Sequence, residues 1–171
     1  VWRAHDRERD TEVALKIVRP ALARLPRFRA RFAREVAISA SISHARIVPV
    51  LDRGRLEDGR PYVVLAYAAQ GSLATLLERR PPLGDVLRVL DQVLEALSVL
   101  HAHGLVHLDL KPENVLLTGS LETPEVWVAD LGAAGALSEL AMDHPEYPPK
   151  RSRLAGAVVA AMGDGPLDAF L

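Results

Sequence analysis

The sequence predicts an α+β fold, with strand-like segments around one helix first and a mainly helical stretch after it; the length allows one domain of substantial core or two small lobes. Three observations predict it. Short strand-like segments crowd into the first 68 residues. Among them, residues 27–36 set Phe28, Phe32 and Val36 at a four-residue step, the mark of a helix with one apolar face. Further on, Leu83, Val86, Leu87, Leu90, Val93, Leu94, Leu97 and Leu100 keep the 3.6-residue period of a long, half-buried helix.

The elements follow in order. Residues 1–4 and 13–18 read as strands. In the second, Val13, Leu15 and Ile17 take one face and Ala14, Lys16 and Val18 the other, because successive side chains point to opposite sides of a sheet. Residues 47–56 and 61–68 read as a strand pair, with Asp58-Gly59 as the hairpin signal. Gly71-Ser72 supplies a turn and an N-cap for a short helix through Arg79, which Pro81-Pro82 ends. Gly104 stops the long helix. Residues 115–117 and 126–128 are short strands, with Gly119, Ser120 and Pro124 in the turn between them.

Composition sets the outer bounds. The 171 residues are 49% apolar with a net charge of −1, an ordinary globular balance that favours neither nucleic acid nor an anionic membrane as partner. There is no cysteine, hence no disulfide framework and no thiolate metal site. No apolar run reaches membrane-spanning length and no signal peptide opens the chain, so cytoplasmic residence is the expectation. Arg24, Arg27, Arg29, Arg31 and Arg34 are expected to form the solvated face of a helix.

The chemistry sits in three stretches. Residues 107–114 read His-Leu-Asp-Leu-Lys-Pro-Glu-Asn, with Asp109 and Asn114 five positions apart. Sixteen residues on, Asp130-Leu131-Gly132 closes the apolar run 126–129. Near the start, Val13-Ala14-Leu15-Lys16 puts a lysine in a strand beside a small residue. In this order they resemble the catalytic loop, the D-F-G motif and the V-A-I-K strand of protein kinases. The form D-L-K-P-E-N resembles the serine/threonine branch of that family, and the Ala/Arg/Leu-rich composition has a bacterial look.

The resemblance implies a protein serine/threonine kinase domain that uses ATP and Mg2+ and acts on a protein substrate. Asp109 is then the catalytic carboxylate that orients the acceptor hydroxyl, and Lys111 steadies the transferring phosphoryl group. Asn114 and Asp130 hold the metal. Lys16, supported by Glu35 of helix C, holds the α- and β-phosphates. Val1, Ala14, Val48, Leu65 and Leu116 line the adenine slot, and the backbone of Ala66 and Ala68 meets the adenine edge. On this plan residues 1–68 are the N-lobe and hinge, and 69–171 a partial C-lobe.

The departures from the pattern matter as well. The chain opens where a Gly-rich loop should have ended, and the last C-lobe helices have no counterpart, so the sequence reads as a truncated copy with impaired activity. Leu108 stands where an arginine usually receives an activation-loop phosphate. Leu131 replaces the D-F-G phenylalanine, a size-tolerant exchange. After Ala133 there is no threonine. Pro145-Glu146 resembles the end of the A-P-E motif. Residues 152–162 faintly resemble the central C-lobe helix, with Arg153 in the place of an aspartate that pins the catalytic loop. A nucleotide-binding pseudokinase or scaffold, and a decayed gene fragment, stay open beside the enzyme reading.

Overall fold

The computed structural model describes residues 1–120 and 123–131, and the backbone of a two-residue strand at 135–136. Gly132, Pro145-Glu146 and residues 152–162 lie outside the described residues, as do the readings attached to them.

The first part is a four-stranded antiparallel sheet in the order β1-β2-β4-β3, built from β1 (Trp2–Asp6), β2 (Thr11–Ile17), β3 (Val50–Arg55) and β4 (Pro61–Ala66). The β1–β2 hairpin turns on Asp6, whose carboxylate accepts the Glu8 and Arg9 N–H groups. Gly59 closes the β3–β4 hairpin at φ +81°, in the left-handed region where a glycine has no Cβ to clash. The register sets Lys16 opposite Val63 and Ala14 opposite Leu65.

Between β2 and β3 run a short turn of helix, α1 (Pro20–Ala23), and the longer α2 (Pro26–Ser41). Phe32 and Val36 of α2 bury against Val63 of β4, so the four-residue apolar step glues helix to sheet. Helix α2 extends past the predicted 27–36 in both directions because Pro26 suits a first helical turn and nothing breaks the helix before Ser41. The strand expected at 47–56 starts at Val50. Ile47 and Val48 instead reach the second part of the chain: the Val48 N–H donates to Val128 O at 3.1 Å and the Val128 N–H to Arg46 O at 2.8 Å.

The second part holds α3 (Leu73–Glu78), α4 (Leu83–Ala102), β5 (Leu105–Val106), a 3-10 turn at Pro112–Asn114, β6 (Val115–Gly119), β7 (Pro124–Val128) and β8 (Gly135–Ala136). β6 pairs with β7, and β5 with β8. Ser72 caps α3, its N–H held by the Thr75 hydroxyl at 3.4 Å. Gly104 ends α4 at φ +69° with its N–H on His101 O.

The stripe along α4 needs one correction. Leu87 and Leu94 are 53% and 61% exposed, while Val89 and Ala96 take their places in the core with Val86, Val93 and Leu100. Leu87 and Leu94 lie seven residues apart on the flank of the helix. Period alone cannot say which of two adjoining apolar rows the sheet will cover.

Candidate functional site

A cavity of about 490 Å³ opens where the sheet, α2 and the β6–β7 hairpin meet. Ala14, Lys16, Glu35, Val48, Leu65, Ala66, Ala68, Asn114, Leu116 and Asp130 all line it, and Val1 stands at its rim, 80% exposed. Asp109 and Lys111 are not part of that lining. They belong to the loop just outside it, tied in by hydrogen bonds.

Lys16 is delivered by strand geometry. It shares the cavity face of β2 with Ala14, whose small side chain leaves the slot open beside Val48, Leu65 and Leu116. The Lys16 ammonium pairs with Glu35 Oε1 and donates to Asp130 Oδ1 at 3.1 Å. Glu12, four residues away on the same strand, is engaged by Arg3 instead. Glu35 neighbours buried Val36 on α2, and the packing of Phe32 and Val36 fixes the helix so that Glu35 faces the lysine.

The three charges set one another's protonation. Burial pushes the Lys16 ammonium down, but the Glu35 and Asp130 carboxylates beside it outweigh that, and its pKa stands above the ordinary lysine value. Burial pushes Glu35 up, Lys16 draws it down, and the Asp130 charge pushes it up again; the net is a carboxyl above its ordinary value. Asp130 goes the other way: burial raises it, and Lys16 more than offsets this, holding it below the ordinary value. Two carboxylates share one ammonium, so one of them carries the cost.

Residues 107–114 form a cross-braced loop. His107 is 2% exposed, and its Nε2–H donates to Ala129 O at 3.0 Å. The Ala129 N–H donates to Asn114 O at 2.9 Å. The Asn114 side-chain amide donates to Asp109 O at 3.0 Å, and the Lys111 ammonium to Asp109 Oδ2 at 2.8 Å. Leu108 and Asp130 both adopt positive φ, +58° and +62°, a costly backbone for branched or carboxylate side chains that these cross-links hold in place. Leu131 is buried in the main core at 1% exposure.

At the hinge, the Ala66 N–H is already given to Pro49 O at 3.0 Å, so the Ala66 main chain offers the cavity only its carbonyl. Sequence reasoning missed several lining residues, among them Ser39, Tyr67, Thr75 and Glu113. Ser39 had a signal: it lies four residues after Glu35, on the same face of one helix. Thr75 and Tyr67 had none, because their placement depends on how the hinge crosses to α3.

The donor set fits a nucleotide with its magnesium. An apolar slot suits a flat base, an ammonium suits phosphates, and one carboxylate with one amide oxygen is the sparse protein ligand set that Mg2+ takes when phosphates complete its shell. Because the Asn114 N–H group is committed to Asp109 O, the amide oxygen is the end left to meet a cation.

Comparison with known proteins agrees with this geometry. A family profile described as protein kinase domain matches residues 1–147. The chain is 39% identical over 137 residues to the serine/threonine-protein kinase pkn3 of Myxococcus xanthus, covering 78% of this chain and 25% of that protein. It is 39% identical over 149 residues to the probable serine/threonine-protein kinase SCO3848 of Streptomyces coelicolor (83% and 21%). To the serine/threonine-protein kinase PknB of Mycolicibacterium smegmatis it is 33% identical over 144 residues (81% and 23%). The chain thus spans about a quarter of the length of these curated relatives.

Proposed function

The chain belongs to the protein kinase family, and from that membership we propose that it transfers the γ-phosphate of ATP to a serine or threonine hydroxyl of a protein. The observation that carries this reading is the convergence of Lys16, Glu35, Asp130 and Asn114, drawn from β2, α2 and both ends of the β6–β7 hairpin, on one cavity. The relatives named above, all serine/threonine kinases by name, support it.

In this reading Ala14, Val48, Leu65 and Leu116 sandwich the adenine, with the Ala66 carbonyl and the Ala68 backbone along its edge. The Lys16 ammonium, aimed by Glu35, holds the phosphates. Asn114 and Asp130 would hold magnesium, which supplies charge neutralisation on the phosphate oxygens. Asp109 accepts the proton of the acceptor hydroxyl and orients its oxygen, and Lys111, already bonded to that carboxylate, shields the incoming negative charge. Little covalent work falls to the protein: catalysis is positioning and electrostatics. In the same reading residues 1–68 are the first lobe with its hinge, and residues 69–171 a partial second lobe that carries the catalytic loop. A cytoplasmic location, where ATP is supplied, belongs to the same reading; no helix among the described residues is long and apolar enough to cross a membrane.

The test is transfer of radiolabelled phosphate from ATP to a basic protein substrate. Transfer that disappears in Asp109→Asn while nucleotide binding persists supports the proposal. A chain that binds ATP and transfers nothing, with or without the substitution, overturns it in favour of a nucleotide-binding module.

A further inference from the structure

Three side chains at the open end of the nucleotide cavity have no part in phosphoryl transfer as described above. Arg3 of β1 stands opposite Ala14 of β2, and Ala14 stands opposite Leu65 of β4. Directly paired residues share one face of a sheet, so Arg3 lies on the face that carries Ala14 and Lys16. Glu12 belongs to that face too, about 13 Å along β2 from the lysine. Its carboxylate pairs with the Arg3 Nε. The Arg3 guanidinium lies over the Tyr67 ring, 5.2 Å from its centroid. Tyr67 is half-buried and lines the cavity between Ala66 and Ala68, whereas Arg3 is not part of that lining. The arginine thus reaches across β2 to the hinge without entering the slot.

We propose that Arg3, in the nucleotide reading on which this rests, is a positioning residue for the base: it holds the Tyr67 ring in place as the outer wall of the slot. The electron-rich face of the ring attracts the guanidinium, and Glu12 fixes the guanidinium from the side. A free tyrosine at a cavity mouth gives up rotamer freedom when a ligand arrives. A ring already held gives up less, and the difference appears as affinity. Stapling β1 to β2 is a poor account of the cluster. Arg3 and Glu12 are 64% and 41% exposed, and an ion pair so open to water contributes little to stability. A staple also has no use for the contact with Tyr67. Direct attraction to phosphate belongs to Lys16, at the other end of the same face.

Equilibrium competition against a fluorescent ATP analogue tests it, on the full chain, with ATP and adenosine as competitors. Arg3→Ala should weaken both roughly two- to fivefold, the worth of one exposed cation–π contact. Arg3→Gln repeats the test with most of the side chain's length kept, and circular dichroism confirms the fold of each variant. Adenosine carries no phosphate, so an equal loss for both ligands places the effect at the base. In a Tyr67→Leu background the same Arg3 substitutions should change nothing, because Arg3 acts through the ring. A role confined to stapling the hairpin would persist in that background. Three results overturn the proposal: wild-type affinity in both Arg3 variants, a loss for ATP without one for adenosine, or a loss that persists in full beside Tyr67→Leu. If the wild-type chain binds neither ligand, the nucleotide reading fails and the proposal with it. If it binds both and only the Arg3 dependence is missing, the proposal alone fails.

Discussion

Asn114 and Asp109 are joined by one hydrogen bond, from the Asn114 side-chain amide to the Asp109 main-chain carbonyl at 3.0 Å. The proposed metal ligand and the proposed catalytic carboxylate therefore move as a unit. The bond also sorts the amide's two ends: its N–H group faces the loop and its oxygen is left for a cation.

Asn114→Ala should separate these roles. Asn114 is 7% exposed, so deletion leaves the Asp109 carbonyl without its donor at a cost of about 1–3 kcal/mol, readable in urea unfolding. Phosphate transfer should fall far more than nucleotide binding. Asn114→Asp restores an oxygen ligand but aims a second acceptor at the Asp109 carbonyl, so it should recover metal binding and not loop stability. Equal stability of all three proteins would show that the bond contributes nothing.

Lys16→Met should weaken nucleotide binding roughly ten- to a hundredfold, the worth of one charge-assisted hydrogen bond, measured by calorimetric titration. It should also change the acid side of the stability curve. Asp130 is held below its ordinary pKa by Lys16, a contribution present above the unfolded value near pH 4 and lost as pH falls through the folded value. Without the ammonium that contribution vanishes, and the half-buried Glu35 and Asp130 face each other as like charges. The difference between wild-type and variant unfolding free energies should therefore shrink as pH drops below about 4.

His107 carries a second pH dependence. Burial holds its pKa below the ordinary histidine value. Its Nε2–H is bonded to Ala129 O, and Nδ1 is buried with no partner among the described residues, so a proton placed there would be an unsatisfied buried donor. The unfolded chain binds the proton first. The His107 contribution is thus complete above the unfolded value of about 6.5 and is lost as pH falls from there toward the folded value. Thermal unfolding should occur at a lower temperature at pH 5.5 than at pH 7.5, and His107→Phe should reduce that difference. An unchanged difference would remove His107 from the account.

On α4, two leucines predict opposite outcomes. Leu100 is fully buried, and Leu100→Ala should cost about 2–5 kcal/mol through lost transfer energy and a cavity. Leu94, 61% exposed, should tolerate alanine within about 0.5 kcal/mol. Chemical denaturation compares them directly, and a large loss at Leu94 would place α4 in the wrong rotation.

The chemistry-bearing residues were readable because each is bound to a local pattern. Asp109 and Asn114 lie on one short loop, Asp130 at the end of an apolar run, and Lys16 in an alternating strand. Short spacings and strand or helix periods are properties of the backbone, and they survive in the one-dimensional sequence. Element ends were readable where a residue type dictates them, as at Ser72, Gly59 and Gly104.

What the sequence left open were choices between equivalent local solutions. The apolar positions of α4 allow the helix to bury Leu87 and Leu94 or Val89 and Ala96, and the β6–β7 hairpin selects the second set. Nothing local directs Ile47 and Val48 away from β3 to the Val128 backbone, or gives the Ala66 N–H to Pro49 rather than to the cavity. Arg29, Arg53 and Arg55 share one groove between α2 and the β3–β4 hairpin although about 25 residues separate the helical arginine from the strand pair, and read separately they are ordinary solvated charge. The sequence by itself determined which groups are offered to phosphate, metal and an acceptor hydroxyl in the proposed reading, because that depends on residue type and short spacing. The tertiary structure alone decided which backbone groups remain free to meet a ligand and which side chains share a face across elements, because those follow from long-range packing that no local pattern encodes.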